Sequence, residues 1–252
     1  MTPLDIVVRK LEKHMLLTAG EKKALREAFE TTTDFAEGDD LGSIGESVSF
    51  VGALLVGHLC RQLTLNNGSR QLLSLPMAGD TVQMQSGLLN TMDHSVTALT
   101  PCTLAIASKA AIEAMSEEFP RLADILCRNV AIEASVTRQW VLSMGRRDAY
   151  GRLSHLFCEM FSRMSDAGLT TGASYAMPLT QAELSDATGM SVVHVNRTLM
   201  QLRDRGLIRL GRGRLTVCDW DGLVSAGAFD PAYLHLHEIY SAPNPPQERS
   251  FS

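Results

Sequence analysis

Six arginines lie between Ser191 and Arg214, namely Arg197, Arg203, Arg205, Arg209, Arg212 and Arg214, and the only acid among them is Asp204. A guanidinium fork makes paired hydrogen bonds to phosphate oxygens and to the O6/N7 edge of guanine. So dense a cluster, on a chain whose formal net charge is −5, marks a surface suited to a polyanion. Val192, Val193, His194, Asn196 and Arg197 open the segment and are the candidate base readers. Arg197, by bidentate contact to guanine, is the foremost, and Asn196 is second. Thr180, Gln181, Ser191, Arg212 and Arg214 are candidate phosphate contacts, which position a protein on DNA without reading sequence.

The surrounding residues form elements able to hold these groups. Thr180 and Glu183 have the spacing of a capping box, so a helix starts there. It carries Leu184 inward and ends at Gly189, which tolerates the left-handed conformation of a tight turn. Ser191 can cap a second helix with Val195, Leu199 and Leu202 at i, i+4 and i+7 as its buried stripe, ending at Gly206. Leu207 to Leu210 and Leu215 to Val217 then flank a basic Gly-Arg-Gly-Arg tip, which reads as a hairpin. Together these predict a winged helix-turn-helix with a recognition helix starting at Ser191. The competing local reading is an ordinary helical hairpin with a solvated arginine face. Capping, turn glycine, apolar spacing and charge segregation coincide in favour of DNA.

The 252 residues suffice for two domains, and 45% hydrophobic with 20% charged residues describes a globular chain. No apolar run approaches the roughly 18–20 residues of a membrane span, so no membrane partner is expected. The first residues mix acids and bases without a secretory apolar core, which predicts a cytoplasmic protein. Cys60, Cys102, Cys127, Cys158 and Cys218 are scattered without a CxxC pair, which argues against disulfides and a structural metal site and predicts mostly buried thiols. No GxSxG, HExxH or GxxxxGK[ST] segment is present, so no catalytic residues are assigned and an enzyme is not expected.

Residues 3–30 read as helical, with a second capping box at Thr18 and Glu21. From Phe35 to Ala107 short apolar runs alternate with EGDD, NNGS, PMAGD and NTMD, a pattern of many short strands that predicts a compact barrel or β-roll. Helical patterning resumes at Ser108 and, after Pro120, continues to about Gly145. Leu122, Ile125, Leu126, Asn129, Ile132, Val136, Gln139 and Trp140 follow one another there at helical spacings. That stripe is read as a homodimer seam; the alternative is that it packs on its own β domain. Asp148 is placed to cap a further helix. Thr170 to Ala176 reads as a loop, and the terminal SAPNPPQERSFS as disordered.

In this order of parts the chain resembles the Crp/Fnr family of bacterial transcription regulators. The match is strongest over LTQAELSDATGMSVVHVNRTLMQLRDRGLI, and next at the DxxGR segment of Asp148, Gly151 and Arg152. Gly79 with Asp80, the ALTPCTLAIAS strand and FDPAYLHL are weaker matches. The resemblance implies an α+β fold: an N-terminal double-stranded β-helix or β-roll sensor with its helices over 1–120, a dimerisation helix over 121–145, a winged helix-turn-helix over 146–230 and a tail over 231–252. It implies a homodimer on a near-palindromic operator, double-stranded DNA and RNA polymerase as partners, and an effector in the roll. Met84, His94, Ser95, Thr137 and Trp140 are the implied effector pocket.

The chain departs from the family pattern in both halves. Families of this type commonly offer Glu and Arg one helical turn apart to the bases; Arg197 keeps the second place, but Val193 holds the first. Valine accepts no hydrogen bond from cytosine, although its methyls can pack on that of thymine. In the roll, Met84 and His94 stand where cyclic-nucleotide binders place Glu and Arg, so cyclic AMP is disfavoured. An iron-sulfur cluster is disfavoured because the first cysteine is Cys60; haem would need His58 or His94 as axial ligand. No cofactor is therefore expected, and the effector is left open. The alternative function is a small-molecule- or haem-binding module whose helix-turn-helix serves protein interaction.

Overall fold

In the computed structural model, which describes residues 4–84 and 89–236, the first apolar residues line one side of two short helices, α1 (Asp5–Glu12) and α2 (Ala19–Ala28). The Thr18–Glu21 capping box forms with both bonds: the Thr18 N–H donates to Glu21 Oε2 at 2.7 Å and the Glu21 N–H to Thr18 Oγ1 at 3.2 Å. Val7, Val8, Leu11 and Leu25 pack from these helices onto the strands that follow.

Those strands make a roll of two four-stranded antiparallel sheets. One has the order β1 (Thr31–Phe35), β8 (Cys102–Ala107), β3 (Val51–Val56), β6 (Thr81–Val82). The other runs β2 (Asp40–Gly42), β7 (Ser95–Ala98), β4 (Leu59–Thr64), β5 (Arg70–Ser74). Leu54, Leu59, Val96 and Leu104 fill the core that these strands share. Between β3 and β4 the chain turns at Gly57 with φ +93°, where a Cβ would stand 2.5 Å from the Pro101 carbonyl oxygen, so only glycine fits.

Beyond the roll come α3 (Lys109–Glu118), capped by Ser108, and the 27-residue α4 (Pro120–Arg146), about 40 Å long at 1.5 Å per residue. Here one expectation is corrected. Leu122, at 0% exposure, and Ile125, Leu126, Asn129, Val136 and Trp140 are buried within the single chain, with Ile132 and Gln139 half-buried beside them. Leu122, Ile125 and Leu126 join the core of α1, α2 and β3, and Asn129 Nδ2 donates to Thr81 Oγ1 at 2.9 Å. Most of the stripe read as a dimer seam thus packs on its own chain, the alternative the sequence allowed, while Ile132 and Gln139 stay partly open. An apolar periodicity reports that a helix face is covered, not what covers it. The opposite side of α4 carries Cys127, Ala131, Ala134, Arg138 and Val141, all exposed, at alternating steps of four and three.

The C-terminal part comprises α5 (Ala149–Asp166), β9 (Thr170–Thr171), β10 (Ser174–Ala176), α6 (Gln181–Thr188), α7 (Val192–Asp204), β11 (Ile208–Gly211), β12 (Arg214–Val217), α8 (Trp220–Gly227) and a 3-10 turn (Pro231–Leu234). The segment from Thr170 to Ala176, expected as a loop, contains β9 and β10, which complete a sheet of order β11-β12-β10-β9. Tyr175 decides this: fully buried and paired with Leu215, it outweighs the glycine, serine and threonine around it. Nor does the packed structure stop at residue 230, because Leu234 is buried in the same core as α5 and α7. The SAPNPPQERSFS segment lies outside the described residues. Cys60, Cys102 and Cys158 are buried, whereas Cys127 and Cys218 are exposed. No described helix is long and apolar enough to cross a membrane.

Candidate nucleic-acid interface

The elements that carry the arginine-rich segment form as their local signals require. The Thr180 N–H donates to Glu183 Oε2 at 2.7 Å and the Glu183 N–H to Thr180 Oγ1 at 3.2 Å, which opens α6. Gly189, at φ 65°, closes it in the left-handed conformation. Ser191 Oγ then accepts from the His194 N–H at 3.3 Å to start α7. Leu184, Val195, Leu199 and Leu202 are buried between the helices and fix the aspect of α7. Its opposite face therefore points outward: Val193 is 80% exposed and Val192 45%, with Asn196 and Arg197 exposed beside them. His194 is half-buried and lines a shallow groove with Arg197, Asp148 and Tyr150. Val193 is the most open of the large apolar side chains among the described residues.

β11 and β12 are joined by Arg212 and Gly213 at φ 52° and 69°, a two-residue turn with both central residues left-handed, as a tight hairpin favours. Arg212 is exposed at the tip. Arg214 turns back instead: its Nε donates to Ser174 Oγ at 3.2 Å and its Nη2 to the Ser174 carbonyl at 3.1 Å. Arg205 lies over the Tyr150 ring, 4.9 Å from its centroid. Among the expected phosphate contacts, Thr180 and Ser191 are engaged as helix caps, and Gln181 Oε1 accepts from Asn196 Nδ2 at 3.1 Å.

Three residues flagged only as a motif tie this reader to α4. Asp148 Oδ1 accepts from the Gly151 N–H at 2.7 Å to cap α5. Gly151 has no Cβ to press on Asp148 and the Ala226 carbonyl, which would lie 3.2 and 3.4 Å from one. Arg152 donates to three carbonyls: Met144 at 2.7 Å, Arg147 at 2.9 Å and Thr188 at 3.0 Å. Its cation thereby satisfies carbonyl groups at the C-terminal ends of both α4 and α6.

A buried polar network, not legible in the sequence, joins the reader to the roll. Glu159 on α5 is 0% exposed and accepts from Trp140 Nε1 at 3.1 Å, Tyr233 Oη at 2.8 Å and Arg163 Nη1 at 3.3 Å. Arg163 Nη2 also donates to the Leu75 carbonyl and to Asp80 Oδ2, each at 3.0 Å, and Asp80 further accepts from Lys10 Nζ and from the Met77 N–H. Burial alone would raise the Asp80 pKa, but Lys10 and Arg163 override it and hold the carboxyl at about 2. Burial pushes Glu159 the other way, upward. Desolvation likewise lowers His155 to about 4, so the imidazole stacked on Tyr233 is neutral at pH 7. A second link runs from β5 to α6, where Arg70 Nε donates to Asp186 Oδ2 at 2.7 Å.

The implied effector residues do not converge. Met84 belongs to the core under α1 and α2, while Trp140 belongs to the C-terminal core with its indole N–H held by Glu159. Thr137 is exposed and donates to the Glu133 carbonyl at 3.0 Å. Ser95 Oγ accepts from the Ile44 N–H at 3.3 Å, and His94 Nδ1 pairs with Asp93 Oδ1 at 2.6 Å. None of the five lines the cavity of about 50 Å³ between α1, the roll, α4 and α5, whose walls include Lys10, Arg61, Glu133 and Arg163. That space has room for a few waters at most.

Residues 151–226 match the family described as the Crp-like helix-turn-helix domain. Over 192 residues the chain is 26% identical to the transcriptional activator protein FnrL of Cereibacter sphaeroides, spanning 74% of this chain and 76% of that relative. It is 23% identical over 177 residues to the nitrogen fixation regulation protein FixK of Azorhizobium caulinodans, spanning 70% and 68% of the two. The structure of FixK2 from Bradyrhizobium japonicum superposes with a TM-score of 0.70 at 19% identity, covering 79% of this chain and 98% of that one.

Proposed function

The chain belongs to the Crp/Fnr family of DNA-binding transcription regulators, and from that premise we propose that it acts as a homodimer on a near-palindromic operator, α7 of each copy lying in the major groove. The observation that carries this reading is the first part of α7, where Val193, Asn196 and Arg197 stand exposed on a helix whose other face is locked by Val195, Leu199 and Leu202. Arg212 at the hairpin tip supplies the charge for the flanking phosphates.

The two-fold runs along the outer face of α4, where Ala131 and Ala134 are small enough to let two helices approach and Val141 adds apolar area. A symmetric pair of readers demands half-sites about 34 Å apart, one turn of DNA. The roll serves as a sensor for a ligand other than cyclic AMP. Its buried guanidinium, Arg61, is already held by Ser74, Glu133 and the Thr81 carbonyl, which leaves a cyclic phosphate without a ready partner. RNA polymerase is the further protein partner of the DNA-bound dimer. Binding of the purified chain to genomic fragments, followed by mobility shift across salt concentrations, tests the proposal. Retarded complexes that weaken steeply with salt are the expected result, and no complex at low salt would refute it.

A further inference from the structure

Gln181 stands at the first position of α6 and Asn196 in the second turn of α7, and both are exposed. Their side chains meet across the turn, Asn196 Nδ2 donating to Gln181 Oε1 at 3.1 Å. We infer that Gln181 is a positioning residue that presets the Asn196 amide to read adenine. This rests on the reading of α7 as the base-contacting helix.

An isolated exposed asparagine has a nearly two-fold terminal torsion, so it can turn either its oxygen or its nitrogen to a neighbour. One N–H of Asn196 is committed to the Gln181 carbonyl, which fixes which end of the amide lies against α6. With the N–H turned away from Oδ1 given to Gln181, the carbonyl oxygen and the second N–H remain as an acceptor and a donor side by side. In the major groove only adenine presents the complement, the N6 donor beside the N7 acceptor. Guanine offers two acceptors, O6 and N7, and would set one of them against the amide oxygen. Cytosine offers a lone donor, and thymine a lone acceptor beside a methyl group. Holding the amide in advance also removes part of the rotamer entropy that an unrestrained side chain loses on binding.

The experiment uses the full chain and duplexes carrying its selected operator. Affinity is measured for that duplex, for duplexes with each half-site adenine changed in turn to guanine, and for duplexes with each adenine changed to 7-deazaadenine, which lacks the N7 acceptor. Wild-type protein is expected to lose on the order of tenfold at one adenine per half-site with either change. Asn196→Ala should bind the original and altered duplexes equally at that position. Gln181→Ala should lose most of the same ratio while keeping the guanine preference that depends on Arg197. Gln181→Glu, whose carboxylate still accepts from Asn196 Nδ2, should restore it. A full ratio in Gln181→Ala, or a loss shared equally by all sequences, overturns the inference, as does a ratio unaffected by Asn196→Ala. An operator with an Arg197-dependent guanine but no Asn196-dependent adenine sinks the inference alone. Failure of the wild-type protein to prefer any sequence sinks the DNA-reading proposal and this inference together.

Discussion

Asp80→Asn removes the charge at the centre of the network between roll and reader without changing its shape. In the wild-type protein Asp80 Oδ2 accepts from the Met77 N–H at 2.8 Å and from Arg163 at 3.0 Å, and Lys10 approaches Oδ1. Asparagine can keep the Met77 bond but leaves both cations without this counter-ion. Breaking one side of a buried ion pair costs about 3–5 kcal/mol. Arg163 keeps Glu159, and the Lys10 side chain, 22% exposed, can turn to water, so the low end of that range is expected. The pH dependence follows separately. A carboxyl at about 2, against an ordinary 3.8, binds fewer protons folded than unfolded between those values. Its stabilising contribution is complete above pH 3.8 and is lost as the pH falls through 2. At 1.36 kcal/mol per pH unit that contribution is about 2 kcal/mol. Denaturant unfolding followed by the emission of Trp140 and Trp220 should therefore find the variant about 3 kcal/mol less stable at pH 7. The gap between the two proteins should narrow by about 2 kcal/mol as the pH is lowered from 5 to 2. A gap under about 0.5 kcal/mol at pH 7, no more than an ordinary surface change, or one that stays constant with pH, would refute the reasoning.

On the outer face of α4, Ala134→Glu should leave the protomer folded and yield monomers by sedimentation, because each glutamate would meet the two-fold axis proposed there; a persisting dimer would place the interface elsewhere. Leu122→Ala, on the inner face, should instead cost about 2–5 kcal/mol of stability, seen as a lowered Tm. Arg212→Gln should weaken binding to every DNA sequence alike and reduce the slope of log affinity against log salt by about 0.9, measured by anisotropy titration. Gly227→Ala would put a Cβ 2.6 Å from the His155 backbone nitrogen, where α8 crosses α5, and should destabilise the protein by about 1–3 kcal/mol in thermal unfolding.

The parts legible in the sequence are those fixed by near neighbours. Thr180 with Glu183, Gly189, Ser191 and the turn at Arg212 and Gly213 each determine a cap or turn within a few residues, and so the reader was readable. The roll was readable only as a class, because strand order depends on pairings such as Thr31 with Ile106 that no local pattern specifies. The α4 stripe was ambiguous because burial against one's own chain and burial against a second copy select the same residues. Ala131 and Ala134, exposed on the other side, carry no apolar stripe that a sequence pattern would single out. The network around Glu159 joins residues as distant as Lys10 and Tyr233, and its only trace was an acid set among the apolar residues of HLFCEMF. The effector residues, transferred by resemblance, are dispersed because Met84 and Trp140 serve two different cores.

The central claim is that α7 reads bases, with Arg197 on guanine. Selection of bound duplexes from a random pool, run in parallel with wild-type protein and Arg197→Ala, tests it most directly. The wild type should enrich a near-palindrome of two half-sites one helical turn apart, and the variant the same sequence with one G·C preference per half-site lost, worth roughly 1–3 kcal/mol. Identical enrichment by the two proteins, or none by the wild type, would contradict it.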